Sequence, residues 1–233
     1  MKTKPAEGGI CVSVANPDTA SVLASLESAR SEVDVVEIRL DAMQECEIAA
    51  LCSRIDTPLL FTNRPVWEGG NSQDSDEERI KPLLQAVETQ AAYIDLELKT
   101  PSALRQKLLK ATQTSVTKMI ISHHDFDLTP DTETLTKILH RQAESGAHIG
   151  KIVTLARFPQ DVHRDMYFDR EAQKLDFPLI AFCMGEEGKL SRVATLLLGG
   201  FMTYAALDES LTTAPGQFSV RGLRKALAAV IGK

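Results

Sequence analysis

The sequence predicts an α/β protein, a (β/α)8 TIM barrel with a parallel eight-stranded closed sheet. Short apolar runs alternate with helical stretches from end to end. Such alternation demands parallel strands, because each return to the same sheet edge needs a crossover helix. The 233 residues hold eight such units with little left over, near the ~250 residues usual for this barrel. An open doubly wound sheet would carry a glycine-rich turn after its first strand, where this chain has Asn16, Pro17 and Asp18.

The candidate strands, in order, are ICVSVA (10–15), VDVVEIRLD (33–41), PLLFTNR (58–64) and YIDLEL (93–98). KMIISHHDF (118–126), HIGKIVTLA (148–156), PLIAFCMG (178–185) and MTYAAL (202–207) complete the set. Between them ASVLASLESA, ERIKPLLQAVETQ, SALRQKLLKAT and SRVATLLL read as helices. Asp18, Pro101–Ser102 and Thr129-Pro130-Asp131 supply helix starts. The polar stretch EGGNSQDSDEER (68–79) reads as a mobile loop, not a boundary, so residues 1–233 form one domain with a loose tail over 1–9.

Composition narrows the classes. The chain is 43% hydrophobic, 25% charged and 5% aromatic, as in soluble globular proteins. A net charge of −6 argues against a nucleic-acid partner while leaving room for a local basic pocket. Pro5, Glu7, Gly8 and Gly9 stand where a signal peptide needs an apolar run. No apolar run is long enough to span a membrane. Cys11, Cys46, Cys52 and Cys183 form no CxxC pair, which fits reduced thiols in a cytoplasmic protein. No His spacing suggests a metal site.

Side-chain alternation sorts the polar residues within the apolar runs. Glu37, Arg39 and Asp41 share one strand face, as do Asp95 and Glu97 on another. The apolar partners on the opposite faces should meet the helices, which turns the charges inward. An ion-pair network that merely fills the barrel would satisfy this pattern. A polar cavity at the C-terminal strand ends would also satisfy it, and it better accounts for the variety of types there: Glu37, Arg39, Arg64, His123, His124 and Lys151.

Lys151 sits among apolar β-formers. It either marks the exposed bottom of the strand or points inward, its stem reaching toward the mouth. In the second case neighbouring cations and low dielectric would favour a neutral amine, able to attack a ketone and form an imine. His123 and His124 are adjacent and face opposite ways, so one of them is inward and able to move protons. Parity groups His124 with Ser122 and Ile120 without saying which side is inside. The loops after the seventh and eighth strands, MGEEGK and DESLTTAPGQFS, lack a phosphate cradle. Arg39, Arg64 and Arg192 suit a carboxylate instead, with Glu37, Thr213 and Gln217 as partners for hydroxyls.

EIRLD (37–41), FTNRPVWEGG (61–70), IDLEL (94–98), SHHDF (122–126), GKIVT (150–154), MGEEGKLSR (184–192) and APGQFSV (214–220) occur in that order, each at a strand end or in the following loop. In this arrangement the chain resembles the type I 3-dehydroquinate dehydratases of the shikimate pathway, a (β/α)8 barrel family, along nearly its whole length. The resemblance implies dehydration of 3-dehydroquinate to 3-dehydroshikimate through an imine, without metal or organic cofactor. It implies that Lys151 forms the Schiff base, that His124 moves the C2 proton and protonates the departing hydroxyl, and that Glu68 orients His124. Arg192 would hold the substrate carboxylate, with Ser13, Glu37, Arg39, Arg64, Thr213 and Gln217 completing the site.

The resemblance further suggests a homodimer. Three positions depart from the family's common pattern: His123 stands for Asn, Thr213 for Ser and Phe182 for Met. The chain ends one helix beyond the barrel, with no sign of a fused shikimate dehydrogenase. Another imine-forming barrel enzyme, such as an aldolase, and a non-catalytic sensor of a hydroxy acid remain the competing readings.

Overall fold

A computed structural model describes residues 9–26, 32–208 and 216–232, the side chain of Asp169 apart. Eight strands alternate with eight helices: β1 (Gly9–Val14), α1 (Thr19–Leu26), β2 (Val35–Arg39), α2 (Ile48–Arg54), β3 (Leu59–Thr62), α3 (Asp76–Glu88), β4 (Tyr93–Glu97) and α4 (Ser102–Thr112). The order continues with β5 (Lys118–His124), α5 (Thr132–Glu144), β6 (Ile149–Leu155), α6 (Pro159–Lys174), β7 (Leu179–Met184), α7 (Lys189–Leu197), β8 (Met202–Ala205) and α8 (Val220–Ile231). Every paired strand is parallel to its neighbours. β1 lies between β2 and β8, and the Phe201 N–H donates to the Leu179 carbonyl at 2.7 Å across the remaining gap. The barrel is therefore nearly closed.

The helix starts follow the local chemistry. Asp18 accepts from the Ser21 N–H at 2.8 Å and Asp131 from the Thr134 N–H at 2.8 Å, each satisfying a donor that a first helical turn leaves orphaned. Pro101 precedes α4 without a side-chain cap. Gly9, assigned to a tail on sequence, begins β1, and residues 1–8 lie outside the described residues.

Strand alternation produces two apolar cores. Val12, Val36, Ile38, Phe61, Ile94, Leu96 and Ile121 face outward with the helices' buried residues. Cys11, Val35, Leu60, Tyr93, Ile120, Ile149, Ile180 and Met202 fill the barrel interior. On each of these strands except β7, which places Phe182 there, a polar residue follows two positions further along, so the plug is apolar at one end and largely polar at the other. Burying ~25 cal/mol per Å² of apolar surface makes the outer core the main source of stability and leaves the C-terminal end of the interior for chemistry.

Two expectations change. The second strand stops at Arg39, and Leu40–Ala42 form a 3-10 turn, so Asp41 leaves the inward row. There it pairs with Arg39 and accepts from the backbone N–H groups of Arg64 and Asn71. The 68–79 stretch, a loop throughout by composition, ends inside α3, to which Asp76–Arg79 belong, and its earlier part is held by backbone hydrogen bonds. Ser72 N–H donates to the Arg64 carbonyl, Gly70 N–H to that of Pro65, and Ser75 caps α3.

Candidate active site

The inward polar residues converge on a cleft of about 600 Å³, open to solvent, at the C-terminal ends of the strands. Ser13, Glu37, Arg39, Arg64, Glu68, His124, Lys151, Arg192 and Gln217 all line it. Thr213, the remaining sequence-derived candidate, lies outside the described residues.

Lys151 is the third residue of β6 and is buried. Its position early in the strand is resolved by its length: the side chain rises through the interior to place Nζ 3.1 Å from Asp95 Oδ2 and 3.0 Å from the Tyr204 hydroxyl. The nearest charges are thus carboxylates, with Glu37 at 3.7 Å, and not the cations expected. Burial alone would raise the carboxyls of Asp95 and Glu37. Arg64 and Lys151 beside Asp95, and Lys151 and Arg39 beside Glu37, instead hold both below the usual carboxylate range.

Arg64 ties the floor together. Its guanidinium meets Asp95 and Glu97 at 2.8 Å each and accepts no competitor for that pairing from solvent, being 4% exposed. It also donates to Ser122 Oγ at 2.7 Å. Glu97 is shared with Arg79, itself fully buried, at 2.9 Å. Buried charges persist only when paired in this way, since an unpaired ion costs several kcal/mol.

Facing the lysine, His124 lies at the end of β5 with Nδ1 3.0 Å from Glu68 Oε1, which also accepts the His124 backbone N–H at 3.1 Å. Two glycines make this loop possible. A Cβ on Gly70 would stand 2.1 Å from the Arg64 carbonyl oxygen, and Gly69 has φ +77° with the Phe126 ring against it. Burial, reinforced by Arg64 and Lys151, pushes the His124 imidazolium well below its ordinary range, so the ring is neutral. Burial also pushes the Glu68 carboxyl up to about 8, against the pull of Arg64. His123 points away and is absent from the cleft lining, which settles the parity question left open by sequence.

Arg192, in the first turn of α7, is 1% exposed and stacks 4.5 Å over the Phe182 ring. Burial lowers it to about 10, still cationic at neutral pH. Sequence reasoning passed over Tyr204, Phe126 and Val153, which also line the cleft. Tyr204 was detectable, as the one hydroxyl-bearing ring on the inward face of MTYAAL.

These features define an enzyme of the α/β-barrel class with its site at the C-terminal mouth. The chain belongs to the type I 3-dehydroquinase family, whose model matches residues 10–232. It is 42% identical over 216 residues to the 3-dehydroquinate dehydratase of Desulfotalea psychrophila, covering 92% of this chain and 95% of that one. A Methanococcus maripaludis 3-dehydroquinate dehydratase is 33% identical, with coverage of 94% and 98%. The crystal structure of the Clostridium difficile type I enzyme, bearing covalently modified comenic acid, superposes with a TM-score of 0.87 at 27% identity, covering 96% of this chain and 92% of that one.

Proposed function

We propose that the protein converts 3-dehydroquinate to 3-dehydroshikimate and water, a carbon–oxygen lyase reaction of the shikimate pathway, through a Schiff base on Lys151. The observation that carries this reading is the placing of a buried lysine amine and a neutral histidine on the wall of one cleft. A lysine supplies covalent catalysis of carbanion chemistry because its protonated imine draws electrons from the adjacent carbon.

In this reading Lys151 condenses with the C3 ketone. His124, with Nδ1–H directed to Glu68, presents Nε2 to remove the C2 proton and later delivers a proton to the leaving C1 hydroxyl. Glu68 fixes the tautomer and ring orientation. Arg192 holds the substrate carboxylate, its charge undiminished by any surface screening. Ser13, Glu37, Arg39, Thr213 and Gln217 bind hydroxyls, while Arg64, saturated by carboxylates, anchors the floor and sets the field at Lys151.

Borohydride added during turnover tests the reading. One reduced adduct on Lys151, seen by peptide mass spectrometry, is expected, and its absence overturns the mechanism. We also infer that the barrel works as a single domain, as a cytoplasmic homodimer; light scattering of the purified protein checks the assembly.

A further inference from the structure

We propose that Tyr204 relays a proton from Lys151 to Glu37, creating the free amine that attacks the ketone; this rests on the Schiff-base reading above. The Tyr204 hydroxyl stands between the two groups. It accepts from Lys151 Nζ at 3.0 Å and donates to Glu37 Oε1 at 3.4 Å. The direct separation of Lys151 from Glu37 is 3.7 Å, beyond hydrogen-bonding distance. The phenol therefore supplies the short path.

The groups facing Tyr204 decide where the proton goes. Cys11 on β1, Glu37 on β2, Asp95 on β4, Lys151 on β6 and Phe182 on β7 surround the ring. Asp95 also touches the amine, but it accepts from Ser122 at 2.6 Å and pairs with Arg64 at 2.8 Å, contacts that favour its charged form. Glu37 accepts from Thr62 at 2.8 Å and also feels Arg39 and Lys151. Among the described residues, however, no arginine lies within ion-pair distance of it, whereas Arg64 pairs directly with Asp95. Glu37 also opens onto the cleft, whereas Asp95 is not part of its lining. Burial raises the Tyr204 phenol well above its ordinary range, so the resting hydroxyl carries the proton that it hands to Glu37 as it accepts one from Lys151.

The step balances. The Lys151 ammonium passes one proton to the Tyr204 oxygen as the phenolic proton moves to Glu37, leaving a neutral amine and a neutral carboxyl. The amine lone pair forms the N–C bond while the carbonyl π pair moves to oxygen, and an internal proton shift gives the carbinolamine. Glu37 then returns its proton to the carbinolamine hydroxyl, which departs as water as the nitrogen lone pair closes the protonated C=N bond. Glu37 ends as a carboxylate, and the sum is ammonium plus ketone giving protonated imine plus water.

Tyr204→Phe tests the relay, because it removes the hydroxyl and keeps the ring. Rapid-quench borohydride trapping with 3-dehydroquinate should show adduct formation on Lys151 slowed by at least about tenfold. Calorimetric affinity for the C3-alcohol analogue of the substrate, which cannot form an imine, should stay within about twofold, as should the thermal midpoint within a few degrees. Glu37→Gln, which keeps an acceptor for the phenol but no proton-holding site, should slow trapping likewise. A smaller slowing in either variant overturns the relay. So does a Tyr204→Phe slowing matched by equal loss of analogue affinity or of thermal stability. Failure of the Schiff-base reading itself would look different, with no adduct on Lys151 in the wild-type protein.

Discussion

The Asp95 carboxylate bridges two cations: Oδ2 lies 3.1 Å from Lys151 Nζ, and Oδ1 lies 2.8 Å from Arg64 Nη2. The reactive amine is therefore part of a buried ionic lattice that runs through Arg64 and Glu97 to Arg79 at the start of α3. Such a lattice holds the nitrogen in place without locking the side chain covalently. It also makes the lysine a structural cation as well as a chemical one.

Replacing the lysine should therefore have two effects. Lys151→Ala is expected to abolish turnover and borohydride labelling. It should also lower stability by about 3 kcal/mol, because Asp95 and Glu37 lose a buried counter-ion. Urea denaturation checks the second effect, and unchanged stability would show that the remaining arginine satisfies the carboxylates.

The two adjacent histidines should separate cleanly. His124→Ala is expected to lose turnover by at least about a hundredfold yet still accumulate a trappable imine, because the lysine is untouched. His123→Ala should keep most of its activity, since its ring lies outside the cleft lining. Formation of the conjugated enone, followed by absorbance, distinguishes them; a dead His123→Ala with an active His124→Ala would reverse the roles.

Glu68 should leave a mark on the pH dependence. With its carboxyl raised from 4.5 to about 8 in the folded state, the native protein retains a proton that the unfolded chain has lost between those values. Stability contributed by this group is thus full below about pH 4.5 and declines as pH rises toward 8. Glu68→Gln should flatten that decline, measured by denaturant unfolding at about pH 5 and pH 8. In the wild type kcat/KM is expected to rise near pH 8 as Glu68 ionises and makes His124 more basic, and Glu68→Gln should lose that rise. A wild-type profile in the variant would exclude Glu68 as the source.

The Glu68 loop depends on a close backbone approach. Gly70→Ala would push a methyl to 2.1 Å from the Arg64 carbonyl oxygen, a backbone atom with no room to yield. A loss of about 1–3 kcal/mol is expected, with kcat falling more than KM rises, because Glu68 would shift from His124. Thermal unfolding and steady-state kinetics check both, and an unaffected variant would mean the loop can slide.

Much of this was legible in the linear chain because strand alternation is local. All eight apolar runs became strands, and the faces inferred for Glu37, Arg39, Asp95 and Glu97 are the faces observed. Asp41 broke the pattern because the chain turns at Leu40, where a 3-10 turn costs little and lets the carboxylate meet Arg39. The polar 68–79 stretch reads as loop throughout although Asp76–Arg79 belong to α3, and its contacts were not legible either. Its hydrogen bonds run to Arg64, Pro65 and Asp41, none of which a composition of Gly, Ser and Asp reveals.

What the sequence by itself determined is the barrel and the membership of its inner row, since both follow from periods of two and about 3.6 residues along the chain. Only the tertiary structure decided which members meet. Tyr204 reaches Glu37 across 167 residues of chain, and Lys151 reaches Asp95 across 56. Strand register and closure set those meetings, and they arise from packing the whole interior at once. For the same reason the amine came to lie among carboxylates and a phenol, a setting that parity along a single strand could not disclose.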